Sequence, residues 1–574
     1  MTLENPYSNE FRSGRLKAIA DPTRWAVIVQ LLDGPKNVEE LNRVLNIDLT
    51  LLSHHLKILR NESFVLCIRE GKNVRYSLAP GLALPPPQRG IDLGCCHLEL
   101  NDNRTGNAGD CCDCVNVFET ESLCPVCMRR LPATRETRGS DVFLVKRCPE
   151  HGEFSTIIWR SGPEFRGWKK KSGGNRTGEF QTPAVMGCPF DCGICPTHRK
   201  NACTAVLEVT SRCNLRCPVC FADSGGAGRD LDLAEIEECY RRVLRAYGPD
   251  IILQLSGGEP TVRDDLPAII EMGRSLGFPF IQVNTNGLRI AEDESYAAAL
   301  GKAGAVSVFL QFDGTEDAIY ETLRGRPLYA VKRRAIERCG ENGIGVVLVP
   351  TLVPAVNTHN IGAIIRLALE LSPVVRGVHF QPVGYFGRCP DTPENANRLT
   401  LPDVMRLIEE QTDGLMRIED FSPPGWENSL CSFHGTFLPK PGGGLQALTG
   451  HGAGGCCSSE GGDAHAVTFT ARQWSAPPAT TDEDRTRSDS AGGGTDFEAL
   501  DGFLERVRTR MLSVSCMAFQ DAWNLDLERT KDCCIHVVAP GGKMIPFCLY
   551  NLTSSDGTPL YRNAHATGQE MSDR

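Results

Sequence analysis

The sequence has no long hydrophobic run, and this absence limits where the protein can work. A helix that spans a bilayer needs roughly 20 consecutive apolar residues, whereas the longest apolar stretch, 345–356, is short and contains two prolines. The N-terminus, MTLENPYSNEFRSGR, has no apolar segment after its charges and does not resemble a secretory signal. We expect a cytoplasmic protein without an integral membrane segment.

Basic residues do not outnumber acidic ones. The net charge is −10, which argues against a nucleic-acid coat protein but leaves room for one small DNA-binding module. Cysteine, in contrast, is abundant, with 26 in 574 residues. A disulfide scaffold would exceed roughly 8–10 % cysteine, and thiols in a reducing compartment are more often metal ligands or catalysts.

Short β-rich runs alternate with helical patterns between residues 204 and 440. The runs are AVLEVT, IILQLS, FIQVNT, VSVFLQ, GVVLVP and VRGVHF, and helical candidates such as LAEIEECYRRVLRAYG lie between them. Six strand–helix repeats at this spacing predict a parallel sheet or partial barrel. The C-terminal ends of such strands are where binding residues collect.

Three cysteines follow the first of these strands. Cys213, Cys217 and Cys220 form the spacing Cys-x3-Cys-x2-Cys in RCNLRCPVC. Three thiolates on one tight loop can hold three irons of a [4Fe–4S] cube, which leaves the fourth iron open for a chelating ligand. A structural zinc loop is the alternative, although zinc sites usually take Cys-x2-Cys pairs from two hairpins.

The ends of the next three strands carry glycines and polar residues. Paired glycines let a backbone approach a ligand closely, and a carboxylate can accept a hydrogen bond from an ammonium group. Each polar residue alone is also typical of a turn. The candidate cofactor-binding residues are Gly257, Gly258, Glu259, Pro260, Asn284, Asn286, Gln311 and Asp313.

In this register, the cysteine loop and the GGEP turn resemble the radical S-adenosylmethionine (SAM) superfamily. The resemblance implies a partial (β/α)6 barrel of the α/β class, in which the open iron binds the methionine part of SAM. It also implies that the GGEP turn contacts the SAM amino group and that the side chains after the third strand contact the ribose. One-electron cleavage of SAM to a 5′-deoxyadenosyl radical would need an electron donor such as flavodoxin or ferredoxin. No residue is assigned to catalysis itself.

A second Cys-x3-Cys-x2-Cys lies upstream, at Cys188, Cys192 and Cys195, and Cys203 follows as a fourth candidate ligand. Four thiolates would close a [4Fe–4S] cluster without an open iron, which suits an auxiliary cluster. The two triads could also exchange roles. We assign SAM to the downstream triad because it directly follows a barrel strand and precedes GGEP in register.

Two ligand pairs, CPVC and CPEH, are predicted at the ends of a short β-hairpin. Cys124, Cys127, Cys148 and His151 would form one tetrahedral site in a small β knuckle. Three thiolates and one imidazole suit zinc, and a rubredoxin-like mononuclear iron is the alternative; His151 could also merely cap a turn. Four protein ligands leave no open position, so the predicted role is structural.

The order CPVC…CPEHGEF, CPFDCGICPTHRKNAC, EVTSRCNLRCPVCFA, GGEPT resembles the family of archaeal tetraether lipid synthases and their bacterial relatives, whose members were once taken for methyltransferases of methanopterin-like substrates. The match covers 120–440 and 510–550. It implies two or three [4Fe–4S] clusters and hydrogen abstraction from an unactivated carbon, followed by C–C coupling or methyl addition. Such a transferase would be oxygen-sensitive and could work with a separate methyltransferase.

The C-terminal segment FQDAWNLDLERTKDCCIHVV also resembles that family. Candidate ligands of a third cluster are Cys431, Cys516, Cys533 and Cys548, with buried free thiols as the alternative. One of the vicinal cysteines Cys533 and Cys534 is expected to be spare. The chain departs from the family in its Gly-rich insert, which contains Cys456 and Cys457, and in its N-terminal module.

The N-terminal module, LKAIADPTRWAVIVQLL…LLSHHLKILR…GKNVRYSL, resembles the ArsR/SmtB winged helix–turn–helix repressors. The resemblance implies a homodimer that reads pseudo-palindromic DNA with a recognition helix at 50–59 and a wing hairpin; dimerisation without DNA binding is the alternative. Candidate groove and phosphate contacts are Thr50, Ser53, His54, His55, Lys57, Lys72 and Arg75.

Composition predicts seven segments along the chain. They are the winged helix–turn–helix at 1–85, a Cys-rich linker at 86–118, the metal knuckle at 119–180, the auxiliary-cluster segment at 181–203, the barrel at 204–440, the Gly-rich insert at 441–495 and a Cys-rich C-terminal segment at 496–574. Vicinal thiols in the linker, Cys95, Cys96, Cys111, Cys112 and Cys114, suit soft ions such as trivalent arsenic. Sensing, a metal-binding or redox role and a structural role stay open for them.

Two functions from different classes follow. The first is a radical SAM enzyme of unassigned substrate with a DNA-binding-like regulatory domain. The second is an ArsR-type regulator whose iron–sulfur or metal sites respond to redox state, metal or arsenic. The complete SAM-binding set favours the enzyme, because a sensor needs no SAM pocket.

Overall fold

The computed structural model divides the chain into two compact units, Met1–Cys112 and Asp113–Arg574. It describes residues 21–45, 47, 49–70, 73–80, 82–83, 90–92, 97–99, 117–163, 165, 168, 181–225, 229–389, 393–425, 427–440, 443–449, 468, 470–477, 503 and 505–562. The linker cysteines, Cys456, Cys457, Lys72 and the side chain of Thr50 lie outside the described set. No helix within the described ranges is both long and apolar enough to cross a membrane.

The first unit contains a winged helix–turn–helix. Its helices are α1 (Pro22–Leu32), α2 (Val38–Leu45) and α3 (Leu49–Asn61), and its strands β1 (Lys36–Asn37), β2 (Val65–Glu70) and β3 (Asn73–Leu78) form an antiparallel sheet in the order β1-β3-β2. Asp21 caps α1 by accepting a hydrogen bond from the Arg24 amide, and Pro22 fixes the first helical turn. A further pair, β4 (Gly90–Asp92) and β5 (His97–Glu99), is antiparallel.

The second unit begins with a four-stranded antiparallel meander: β6 (Val117–Leu123), β7 (Arg130–Arg138), β8 (Asp141–Cys148) and β9 (Gly152–Trp159). The turns β6–β7 and β8–β9 carry the two ligand pairs of the knuckle at the same end of the sheet. The meander contacts the C-terminal segment, because Lys146 donates a hydrogen bond of 2.7 Å to the carbonyl oxygen of Ala522.

A twelve-stranded sheet forms the rest of the second unit. Its strands are β10 (Thr204–Thr210), β11 (Ile252–Gly257), β12 (Ile281–Thr285), β13 (Ser307–Gln311), β14 (Gly345–Val349), β15 (Thr351–Leu352), β16 (Val375–Pro382), β17 (Ser432–Pro439), β18 (Leu445–Ala447), β19 (Leu512–Met517), β20 (Ile535–Val538) and β21 (Met544–Pro546). The order is β18-β17-β19-β16-β14-β13-β12-β11-β10-β20-β21, with β15 paired to β16. Within the described residues this path does not close on itself, as expected for a partial barrel.

Helices connect the parallel strands and cover their outer face. They are α4 (Leu233–Tyr247), α5 (Leu266–Ser275), α6 (Leu288–Glu292), α7 (Glu294–Ala303), α8 (Asp317–Arg324), α9 (Tyr329–Glu341), α10 (Ile361–Glu370) and α11 (Leu401–Gln411), and two short helices, α12 (Leu527–Thr530) and α13 (Phe547–Tyr550), lie in the C-terminal segment. A capping box at Asp232 and Glu235 begins α4. Strands such as β11, in which every residue is buried, explain the continuous apolar runs of the sequence.

The six predicted barrel strands are all present and parallel, which confirms the α/β partial barrel. The sequence did not indicate that β19 and β20 extend this sheet in parallel, β19 beside β16 and β20 beside β10. Both strands are short, and their partners are far away in sequence, so local periodicity could not reveal the pairing. The C-terminal segment is therefore continuous with the barrel sheet. The domain boundaries themselves remain predictions.

Candidate functional site

Cys213, Cys217 and Cys220 lie on the loop that leaves the C-terminal end of β10. Cys217 is buried and the other two are half-buried. Burial raises the pKa of Cys213 to about 11, and the nearby groups of Glu259, Cys217 and Cys220 add to this effect. Arg388 holds the loop from outside: its amide donates to the Cys220 carbonyl oxygen at 2.9 Å, and its Nε donates to that of Cys217 at 2.8 Å.

The GGEP turn lies directly against the start of this loop. The Gly258 amide donates to the Thr210 carbonyl oxygen, and the Glu259 amide to that of Arg212, both at 2.8 Å. A Cβ atom on Gly257 would lie 2.0 Å from the Thr210 oxygen, and one on Gly258 would lie 2.1 Å from the Arg212 oxygen. Only glycine permits this approach, so the glycine pair joins the turn to the cysteine loop.

The Glu259 carboxylate was expected to accept a hydrogen bond from an ammonium group, but its oxygens have other partners. It is buried and already accepts hydrogen bonds from its own turn and from the end of β12. Oε1 accepts from the Thr261 and Thr285 hydroxyls at 2.6 and 2.7 Å, and Oε2 accepts from the Asn286 amide at 2.6 Å. The carboxylate therefore joins the end of β11 to the end of β12. An ammonium group could still donate hydrogen bonds to the backbone carbonyl oxygens of the turn.

The candidates at the ends of β12 and β13 have different hydrogen-bond partners. Asn286 donates to the Asn214 side chain in the cysteine loop at 2.7 Å and therefore supports that loop. Asn284 Oδ1 is buried without a hydrogen-bond partner among the described residues, which marks it as an acceptor available to a ligand. Gln311 accepts from the ammonium group of Lys332 at 3.3 Å.

Asp313 is completely buried and does not face an open site. Its two carboxylate oxygens accept hydrogen bonds from Arg324 Nε and Nη2, each at 2.7 Å, and Oδ1 also lies 3.3 Å from the Thr351 amide. The expectation that Asp313 contacts a cofactor is therefore not supported by its geometry, because the bidentate pair occupies the carboxylate. Arg324 also interacts with Cys217, so Asp313 acts on the cysteine loop through Arg324.

Cys188, Cys192 and Cys195 line a cavity together with Thr197, His198 and Thr530. A hydrogen bond between the thiols of Cys188 and Cys192 lowers the pKa of Cys188 and raises that of Cys192. Three thiols facing one cavity fit a cluster. The described residues that line the cavity do not include Cys203.

The sequence-based assignment of Cys203 to this cavity needs correction. Cys203 lies at the N-terminal end of β10, where its Sγ is 3.0 Å from Cys534 Sγ. The two residues immediately precede the parallel register pair Thr204–Ile535, so the pairing of β10 with β20 brings their side chains together. His198 lines the cavity, and its Nε2 lies 3.1 Å from His536 Nε2.

The third cysteine group is incomplete. Burial, followed by the nearby thiols of Cys548 and Cys431, raises the pKa of Cys533, and Arg529 Nη2 donates to Cys431 Sγ at 3.2 Å. These three cysteines therefore lie near one another. Cys516 does not join them: it lies on β19 in the main hydrophobic core, and burial alone raises its pKa. Its inclusion in the set is not supported by the structure.

The knuckle residues form a compact tetrad. Cys127 Sγ lies 3.9 Å from Cys148 Sγ, and His151 Nδ1 lies 3.6 Å from Cys124 Sγ and 3.4 Å from Cys148 Sγ. Two Zn–S bonds of a tetrahedral site span roughly 3.8 Å. Although burial opposes it, the amides of Glu150 and His151 and the His151 ring lower the pKa of Cys148 to about 6. The tetrad therefore fits a structural zinc ion.

The predicted DNA contacts on α3 differ in how far their side chains are exposed to solvent. Ser53, His54 and Lys57 are exposed, as is Arg75 on β3, which donates to the Pro35 carbonyl oxygen at 2.9 Å. His55 is buried, with Nδ1 3.8 Å from Asp21 Oδ1. The prediction that His55 contacts DNA is thus contradicted by its burial: this side chain belongs to the core that joins α3 to the start of α1.

Sequence reasoning missed several residues around the cysteine loop and the third cysteine group. Arg324 and Lys332 are buried behind the barrel's C-terminal end, Arg388 fixes the cysteine loop, and Arg529 contacts Cys431. Lys332 also donates to the Asn286 carbonyl oxygen at 2.5 Å, and burial lowers its pKa to about 8. No local motif marks these residues, since each becomes relevant only through a contact with a remote loop.

A parallel sheet whose first strand leads into a three-cysteine loop, with that loop hydrogen-bonded to a diglycine turn, defines a radical SAM protein. The chain matches the radical SAM superfamily over residues 207–368, the HMPTM N-terminal zinc ribbon domain over 117–160 and the arsR family of bacterial regulatory proteins over 21–65. It belongs to the radical SAM family that contains the 7,8-dihydro-6-hydroxymethylpterin dimethyltransferase of Methanocaldococcus jannaschii. The two are 34% identical in an alignment of 475 residues, which covers 75% of this chain and 93% of the relative.

Other relatives match a smaller part of the chain. A probable GTP 3′,8-cyclase of Methanothermobacter thermautotrophicus is 30% identical, and the match covers 31% of this chain and 58% of that protein. Among solved structures, SuiB of Streptococcus suis bound to the precursor peptide SuiA has a TM-score of 0.32 at 17% identity, with coverage of 38% of this chain and 46% of SuiB. The family matches and the methanogen relative identify the chain as a radical SAM enzyme with an ArsR-type domain, and its family implies a [4Fe–4S] cluster and SAM.

Proposed function

We propose that Cys213, Cys217 and Cys220 hold the SAM-binding [4Fe–4S] cluster and that the enzyme adds a carbon unit, as a methyl group or by C–C coupling, to an unactivated carbon. The observation that carries this proposal is the direct backbone pairing of the GGEP turn with the cysteine loop. The three cysteines lie in one small apolar cluster with Leu215 and Leu288. This donor set fits a cluster with one open iron.

When bound, the cluster and SAM supply one-electron cleavage of the sulfonium and a radical that abstracts hydrogen. The protein's own residues hold the cluster loop and orient the ligand. Gly257 and Gly258 bring a backbone edge to the cysteine loop, Glu259 locks that edge to the end of β12, and Asn284 presents a buried acceptor to the ligand. Flavodoxin or ferredoxin is the proposed electron donor. The need for reduced clusters makes the cytoplasm the proposed location.

The upstream triad is proposed to hold an auxiliary [4Fe–4S] cluster, with Cys188, Cys192 and Cys195 as ligands. Cys431, Cys533 and Cys548 are the proposed ligands of a third cluster, and the cationic Arg529 would offset part of its thiolate charge. We propose zinc for the knuckle tetrad. The name of the methanogen relative supports methyl addition as the reaction class, so a reduced pterin is the first substrate to test.

Anaerobic reconstitution with iron, sulfide, dithionite and SAM tests the enzyme assignment. We expect 5′-deoxyadenosine to form with the unaltered protein and to disappear in Cys217→Ala, while the matched variant Cys239→Ala, which changes a half-buried thiol on α4, retains it. A protein with its iron and sulfide intact that yields no 5′-deoxyadenosine would refute the proposal.

A second function is proposed for the first unit, namely DNA binding through α3. The exposed row Ser53, His54 and Lys57 supports it, because these positions lie on one helix face without burial. In a gel shift with the protein's own promoter, Lys57→Ala should weaken binding, whereas Glu39→Ala on α2 should not. Unchanged affinity in Lys57→Ala at low salt would favour a winged helix that serves dimerisation instead.

A further inference from the structure

A compact side-chain group at the opposite end of the barrel from the GGEP turn has no part in the proposed reaction. It consists of Cys203, Cys534 and Glu427, whose ligand atoms all lie within 4.8 Å of one another. Cys203 and Cys534 are buried, and Glu427 is half-buried. We propose that these three residues bind one mononuclear thiophilic divalent cation, zinc by preference, which fastens the C-terminal segment to the barrel.

The backbone presents the two thiols as a pair. The Cys203 amide donates to the Cys534 carbonyl oxygen at 2.8 Å, and the sulfurs lie 3.0 Å apart. Cys533 and Cys534 lie just before β20. Cys534 lies with Cys203 and Glu427, whereas its neighbour Cys533 lies near Cys431 and Cys548. The vicinal cysteines thus serve two separate sites.

The chemistry of the donor set favours a single ion over a cluster. Only two thiols lie at this site, whereas each cluster proposed above takes three. On binding zinc the two sulfurs would separate from 3.0 Å to roughly 3.8 Å. Two thiolates and a carboxylate are ligands that zinc accepts, with the fourth position left for water. Zinc binding would release both thiol protons to solvent.

The charge of the donor set is compatible with an ion. A divalent cation would offset the charge that two thiolates and a carboxylate carry when their ligand atoms lie within 4.8 Å of one another.

The site lies at the N-terminal end of the barrel strands, and this location indicates a structural role for the ion. Cys203, Ile252, Ala471 and Cys534 form a small apolar cluster, against which Phe280 and Trp474 pack at the N-terminal ends of the strands. In α/β barrels this end contributes to stability rather than to catalysis. The ion would join β10 to β20 and to the 427 loop, and would not contact substrate.

Metal and sulfide counts on the anaerobically purified full-length protein test the site. We expect two zinc ions per chain, one of them in the knuckle. Cys203→Ser and Cys534→Ser should each lose one zinc with iron and labile sulfide unchanged, and the double variant Cys148→Ser/Cys203→Ser should lose both. The control Cys339→Ser, which changes a buried thiol on α9, should lose none. Glu427→Gln should weaken zinc retention against a chelator at least tenfold.

Three results would overturn the proposal: an unchanged zinc count, a loss of iron and sulfide in Cys203→Ser, which would make Cys203 a cluster ligand, or a protected Cys203–Cys534 disulfide in the purified protein. Should the variants not fold, anomalous scattering from crystals of the unaltered enzyme decides. A zinc-edge peak between the three residues supports the site, and an iron-edge peak or no peak refutes it.

Discussion

Arg324 donates two hydrogen bonds of 2.7 Å to the carboxylate of Asp313, and both side chains are buried beneath the cysteine loop. The guanidinium group also lies 3.4 Å from the Val219 carbonyl oxygen within that loop. The pair therefore links the end of β13 to the residues proposed to hold the SAM cluster. Its geometry resembles a support for the loop more than a contact to substrate.

Arg324→Met should destabilise the barrel, because it leaves the Asp313 carboxylate buried without its partner. Breaking a buried ion pair in this way costs about 3–5 kcal/mol, measured as a fall in the unfolding midpoint of the anaerobic protein. The pair of half-buried Arg333 with Glu370, which lies nearer the surface, provides the control, since Arg333→Ala should cost less than about 1 kcal/mol. Equal effects of the two substitutions would contradict the structural role of the buried pair.

Gly258→Ala should separate the GGEP turn from the cysteine loop. Its new Cβ would lie 2.1 Å from the Arg212 carbonyl oxygen, and backbone must move to relieve the contact. We expect SAM to stop altering the electron paramagnetic resonance spectrum of the reduced cluster. Gly425→Ala, where nothing lies within 4 Å of the added atom, should behave like the unaltered protein. A normal SAM-induced change in Gly258→Ala would show that the close approach is dispensable.

Cys148→Ser should remove the knuckle metal and loosen the C-terminal segment as well. Arg135 on the meander pairs with Asp526 at 2.6 Å, so loss of the metal should propagate across this contact. Hydrogen exchange should accelerate in the meander and near residue 526, together with a loss of zinc. Glu153→Gln, at an exposed position of β9, is the matched control. Faster exchange confined to the metal turns would mean that the meander folds without its ion.

Stability should fall between neutral and mildly acidic pH because of His379. Burial lowers the pKa of this histidine from 6.5 to about 4, so the unfolded chain binds a proton that the folded chain does not. The contribution is complete above the unfolded pKa and is lost as the pH falls towards 4, with an upper limit of about 3 kcal/mol. His379→Gln, which retains a partner for Ser515, should flatten this slope.

Unfolding midpoints between pH 7 and pH 5 measure the effect. Exposed His359 is the control, and His359→Gln should leave the slope unchanged. An identical pH dependence for His379→Gln and the unaltered protein would show that other groups cause the acid sensitivity.

Local patterns in the sequence determined much of the fold and its chemical class. The cysteine spacings around Cys213 and Cys124 come from single loops or adjacent turns, and the six barrel strands are continuous buried runs. Short-range geometry fixes such features, because a tight loop brings its own thiols together whatever the rest of the chain does. The family assignment therefore followed from motifs in register.

Only the tertiary structure decided how the remaining cysteines are divided. Cys203 is eight residues from Cys195, yet it faces Cys534, because the parallel pairing of β10 with β20 places the start of both strands side by side. Cys516 lies in the core, and His55 is turned inward towards Asp21. Strand pairing and burial are long-range properties, since they depend on which segment covers which face, and neither spacing nor composition encodes them locally.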